Sequence, residues 1–244
     1  MKEKIQRKIK GLIDQYKKLD SEQLFFLYIG IVYIVFILLD LLGILVNLSA
    51  ALKYASIGAC LVYVVSKKHH DSDLIFALFF TVIADTILVW TQYATVGVIV
   101  FCFAQFFHAK RIHQFKTRWF FLFAIFVAFI LVFSKYSNLV PIYAISTLYA
   151  FMLIFNLISA FAYDKSHKTR ASFFLKYGFI AFICCDTCVA LRYVILDGHM
   201  PELILPIVSF LVWVFYLPSQ VLLSHSSLAV EKLSKTRTSG KLKI

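Results

Sequence analysis

Acidic residues are scarce in this chain of 244 residues: 13 Asp and Glu stand against 25 Lys and Arg, and charged residues of both signs reach only 16%. Hydrophobic residues make up 61%, where soluble domains carry roughly 45–50%. That balance excludes disorder, a disulfide-rich secreted module and an ordinary soluble enzyme, because a water-soluble fold of this size cannot bury so much apolar surface. A glycine-rich phosphate loop, a GxSxG elbow and an HExxH helix are also missing, which removes nucleotide-binding, hydrolase-elbow and zincin chemistry. No cleavable signal is expected, since the apolar stretch behind the charged first 22 residues exceeds the signal core of about 7–15 residues. Cys184, Cys185 and Cys188 stand close together. One CxxC without a histidine or a second pair points to small hydrophobes inside a helix, so no metal or other cofactor is expected.

What the sequence does contain is long apolar runs. Eight segments, over residues 24–46, 50–66, 73–92, 95–112, 119–134, 141–163, 171–195 and 203–226, approach the roughly 20 residues that a helix needs to cross a bilayer. They lack the two-residue alternation of barrel strands, so the fold class is all-α: a polytopic membrane bundle of about eight helices. Of the 25 Lys and Arg, 21 fall in the N-terminal segment, the tail and alternate loops, while the other four loops hold only Lys135. By the positive-inside rule both termini face the cytoplasm, and the location is the plasma membrane if the cell is bacterial. The positive charge thus reads as topology, and nucleic acid is not an expected partner. Three regions follow: a cytoplasmic segment over 1–22, a membrane domain over 23–227 and a basic tail over 228–244. In the first, Ile5, Ile9, Leu12, Tyr16 and Leu19 recur at three to four residues among lysines. Such a stripe suits an amphipathic helix on anionic lipid, with a frayed charged tail as the alternative.

A few ionisable residues lie inside the spans. A charge at the bilayer centre costs at least about 2.5–3.5 kcal/mol on insertion scales, so it faces a bundle interior and marks function. At about 1.5 Å per residue, Asp85 and Asp186 lie at nearly the same depth, roughly 3 and 5 Å outward of their span midpoints. Asp40 and Lys53 lie in consecutive spans at a shared level, where they pair into a staple of the first hairpin or serve a site. Lys176 sits near an inner end and snorkels. Ala84-Asp85-Thr86 in the third span is echoed by Cys185-Asp186-Thr187 in the seventh, as two parallel four-helix repeats would produce. Polar stripes accompany the aspartates: Thr81, Asp85 and Gln92 in the third span, Gln105 and His108 in the fourth, and Trp213, Tyr216, Gln220 and Ser224 in the eighth, with Pro218 expected to kink it. They converge on a polar intramembrane pocket or glue helices together. His69 and His70, beside Asp71 and Asp73, suit a solvated turn.

In order along the chain, these residues resemble the YhhN (lysoplasmalogenase) family of eight-span membrane proteins, over about residues 50 to 226. The family's early second-span lysine is matched by Lys53 and its third-span Gly-Asp by Ala84-Asp85. Its glycine, phenylalanine and Ala-His-x-x-Tyr group are matched in spacing by Gly97, Phe101 and Ala104 to His108. Its seventh-span Ser-Asp is matched by Cys185-Asp186, and its final Tyr-Tyr-x-x-Gln by Tyr216 to Gln220. Five positions depart: Ala84, Gln105, His108, Cys185 and Leu217. The resemblance implies hydrolysis of the vinyl ether of a lysoplasmalogen, a lysophospholipid drawn from the membrane. Asp85 and Asp186 would be the catalytic carboxyls, and Lys53, Gln105, His108, Tyr216 and Gln220 would bind substrate. The alternatives are a transporter or lipid-binding protein using the same pocket, or an inactive homologue.

Overall fold

The computed structural model describes residues 20–67, 71–113, 118–136 and 140–228. The stripe of residues 1–22, up to position 19, lies outside them, as do His69, His70 and the tail from 229 onward. Eight α-helices follow in order: α1 Ser21–Leu42, α2 Val46–Val65, α3 Ser72–Trp90, α4 Ala94–His113, α5 Arg118–Tyr136, α6 Pro141–His167, α7 Arg170–Leu196 and, after a 3-10 turn at Glu202–Ile204, α8 Leu205–Ser224. All eight are long and apolar enough to cross a membrane, and no strand occurs among the described residues. The chain is a polytopic helical bundle.

Local chemistry sets the boundaries. Asp20 and Gln23 close a capping box on α1, and Thr169 and Ser172 close another on α7, each meeting backbone N–H groups that the first turn leaves open. Gly43 ends α1 in the left-handed region at φ 64°, which glycine adopts without a Cβ clash. Asp71 caps α3 and is buried; its second carboxylate oxygen accepts from the Leu228 N–H. It is therefore not part of a solvated turn. Asp73 is likewise engaged, in an ion pair of 2.7 Å with Lys110.

The chain divides into two compact units, Met1–Ser56 and Ile57–Ile244. In the first, the Lys53 ammonium lies 2.7 Å from Asp40, whose other oxygen accepts from Ser49 at 2.5 Å. The staple of the first hairpin is thus present. In the second, α4 is the central helix: 61% of its span is buried, against 11% for α5. Apolar burial against lipid gives little drive for helix association, so close packing decides it. Rings of Phe80, Phe103, Phe106, Phe107, Phe120 and Phe123 pack between α3, α4 and α5 at centroid separations of 5.0 to 5.8 Å. Gly178 lets α8 approach α7, since a Cβ there would fall 2.9 Å from the Leu223 side chain. Lys176 reaches Asp164, the carboxylate in the last turn of α6, which also accepts from Ser172. An ion pair thus accompanies the snorkelling expected of that lysine.

Candidate functional site

Two Asp–Tyr pairs stand in the core of the second unit. Tyr216 of α8 donates its hydroxyl to Asp85 of α3 at 2.5 Å, and Tyr149 of α6 donates to Asp186 of α7. Four helices thus contribute the four groups, and rings from α4 and α7 join them. The Phe101 ring lies 5.8 Å from Tyr149 and 6.4 Å from Phe182, and Phe182 lies 6.0 Å from Tyr216. Tyr149, Phe101, Phe182 and Tyr216 therefore form one continuous aromatic wall between the pairs. Asp85 and Asp186 lie within electrostatic reach of one another, as do the two tyrosines.

Tyr216 is buried, whereas both aspartates and Tyr149 are half-buried. Each aspartate keeps part of its surface exposed while its carboxyl is held by a tyrosine hydroxyl. A carboxyl hydrogen-bonded to a phenol keeps lone pairs for a second partner. The pairs do not follow the echo between the halves of the chain: Asp85 of the third span takes its tyrosine from the eighth, and Asp186 of the seventh takes its own from the sixth.

The other expected site residues separate into two groups. Lys53 belongs to the first unit, in its ion pair with Asp40. Gln105, His108 and Gln220 are fully buried. Gln105 and His108 stand four and seven residues along α4 from Phe101, about 6 and 10 Å toward the end of the bundle that carries the basic loops. Asn156 of α6 bridges to Gln105, donating Nδ2 to its side-chain oxygen at 2.8 Å and to its backbone carbonyl at 2.9 Å. The Gln220 amide donates to Ser219 at 3.4 Å. Gln92 falls beyond the end of α3 and is exposed, so it does not extend the Asp85 stripe. Thr81 bonds back to its own helix at Ala77, a bond that leaves its hydroxyl proton committed.

Tyr149, Asn156 and Arg111 were not among the expected site residues. Tyr149 and Asn156 are seven residues apart on α6, two turns on one face, and that polar heptad inside an apolar span was the available signal. Arg111 sits among cations that read as topology; instead it is fully buried, with its Nη atoms on the carbonyl and hydroxyl of Ser226 at 3.4 and 2.7 Å. Among the described residues no cluster of three or more His, Cys, Asp or Glu could hold a metal ion.

The model of the YhhN family matches residues 48–227. The chain belongs to that family. No curated protein matches it, nor does any solved structure. The matched region begins just after the α1–α2 turn and takes in both Asp–Tyr pairs of this YhhN protein, together with Lys53.

Proposed function

We propose that this YhhN protein is an intramembrane hydrolase that cleaves the vinyl ether of a lysoplasmalogen-type lysophospholipid, using Asp85 and Asp186. The observation that carries this reading is the pairing of each carboxyl with one tyrosine, on two sides of one aromatic wall. Hydrolysis of R–O–CH=CH–R′ takes one water. A proton adds to the distal alkene carbon, water adds to the resulting oxocarbenium carbon, and the hemiacetal collapses to the alcohol R–OH and the aldehyde R′–CH2–CHO. One protonated carboxyl supplies the first proton, and one ionised carboxyl accepts a proton from water. Two coupled carboxyls titrate as a unit, so the acid and base roles belong to the pair. Tyr149 and Tyr216 fix the carboxyl orientations, and a half-buried approach suits an amphiphile arriving from the lipid. Under the same reading both termini are cytoplasmic, which the basic loops support by the positive-inside rule.

The test is aldehyde release from lysoplasmalogen by the purified protein. Asp85→Asn and Asp186→Asn keep the side-chain shape and remove the acid, and each is expected to lower turnover by about 10²- to 10⁴-fold. Activity within a factor of a few of wild type in either variant would remove the dyad.

A further inference from the structure

Five side chains fully buried in the second unit leave polar atoms without a hydrogen-bond partner among the described residues: Gln105 through Nε2, His108 through both ring nitrogens, Asn156 through Oδ1, Gln220 through Oε1 and Arg111 through Nε. Each such atom costs free energy in any protein interior, and the bilayer around this bundle has no bulk water to lower that penalty. The atoms are ordered in depth. On α4, Gln105, His108 and Arg111 descend about 6, 10 and 15 Å from Phe101 toward the basic end. On α8, Gln220 is one turn beyond Tyr216 in the same direction, and on α6 Asn156 is two turns beyond Tyr149. His108 packs edge-on against Phe179 of α7, at 5.3 Å between ring centroids. The column starts under the aromatic wall of the Asp–Tyr pairs. It ends where Ser226 covers Arg111 and the Leu228 N–H meets Asp71.

We propose that this column holds a file of water molecules running from the Asp–Tyr layer to the basic end of the bundle, and that Arg111 and residues 226–228 form its stopper. The open atoms identify the occupant. Gln105 and Arg111 offer donors, Asn156 and Gln220 offer acceptors, and a neutral His108 offers one of each. An anion requires donors alone, a cation requires acceptors alone, and an acyl chain requires neither. Water takes both, making about three hydrogen bonds per buried molecule. The role of the file rests on the hydrolytic reading of the Asp pair: the reaction consumes one water per turnover, and the column supplies it from the basic end of the bundle. A transporter would need a polar path on both sides of the carboxyls. Here the buried polar atoms left without a partner among the described residues lie on one side, while Arg192 and Tyr193, two turns past Asp186 toward the other end, are exposed.

X-ray radiolytic footprinting of the full chain in phosphatidylcholine nanodiscs tests the file without relying on activity, because hydroxyl radicals made from bound water oxidise the side chains beside it. After correction for intrinsic reactivity, His108 and Phe179 are expected to oxidise at least about tenfold faster than Ile145, which is equally buried within an apolar cluster. Equal protection of all three overturns the proposal. His108→Phe and Gln220→Met replace polar members with apolar ones. Either is expected to lower oxidation of Phe179 by about fivefold, and to lower kcat about tenfold at an unchanged KM. Lowered turnover with Phe179 oxidised as in wild type also overturns it. Activity retained in Asp85→Asn with His108 and Phe179 oxidised removes the dyad and leaves the file; loss of activity there with both residues protected does the reverse.

Discussion

Two of the places where a membrane span of this protein holds carboxylates differ in how they hold them. Asp40 in the first unit is met by an ammonium, Lys53 at 2.7 Å, with a serine hydroxyl on its other oxygen. Asp85 and Asp186 in the second unit are each met by a phenol. An ammonium and a hydroxyl together meet both oxygens of the Asp40 carboxylate, which is what a staple between two helices requires. A phenol satisfies one lone pair and adds no positive charge, so the carboxyl stays able to take up and release a proton. Intramembrane charge alone marks a residue as unusual; under the proposed hydrolysis, the chemistry of its partner is what separates the structural case from the reactive one.

The strongest way to break that contrast is to give the dyad the staple's solution. In Tyr216→Lys an ammonium stands at about the reach of the phenol it replaces and pairs with Asp85. The bundle is expected to stay folded, with a thermal midpoint close to wild type, while aldehyde release falls by about 10²-fold or more because one member of the acid–base pair is held ionised. Activity retained in this variant would mean that Asp85 acts as a fixed charge and that the dyad differs from the staple only in decoration.

Much of this was legible in the sequence, and the limits have physical causes. Span positions came within a few residues of the helices because a bilayer imposes a length and forbids interruptions. Rise per residue put Asp40 and Lys53 at one level, where pairing was one of two readings, and the structure shows the pair. Tyr149 and Asn156 escaped because tyrosine and a lone asparagine are ordinary in apolar helices, and their importance comes from facing α7 and α4 across the core. Gln92 was overextended from Asp85 because an i+11 spacing holds only while the helix lasts, and α3 ends at Trp90. Asp71 read as a loop residue since nothing local announces a cap that also receives Leu228 from 157 residues away. Arg111 was hidden by its neighbours: among several cations at a span end, composition cannot say which one turns inward.

The staple itself offers a second test, smaller in effect and on stability instead of activity. Lys53→Met leaves the Asp40 carboxylate in the span with Ser49 as its remaining partner among the described residues, and a charge stranded at that depth costs about 2.5–3.5 kcal/mol. Adding Asp40→Asn removes the stranded charge, and the double variant is expected to recover most of the loss, as buried pairs do when both members are replaced. Thermal unfolding in detergent reads the difference, and hydrolysis by the double variant is expected to stay near wild type. Loss of hydrolysis in a double variant of restored stability would move Lys53 from the staple to the substrate.

The finest distinction is between the two tyrosines. Tyr149→Phe and Tyr216→Phe each remove one hydroxyl and leave the ring in the aromatic wall. A hydrogen bond to a charged group contributes about 1.5–3 kcal/mol, so each loss is expected to lower kcat by about 10- to 100-fold. Tyr216 is buried and Tyr149 is half-buried, and a carboxyl that loses its phenol beside an open approach recovers a water in its place. The Tyr149 variant is therefore expected to be the milder of the two, with KM unchanged in both because neither ring moves. A larger effect at Tyr149, or a rise in KM there alone, would show that its hydroxyl meets the substrate directly and that the two pairs, alike in their bonds, divide the work between holding a carboxyl and binding the lipid.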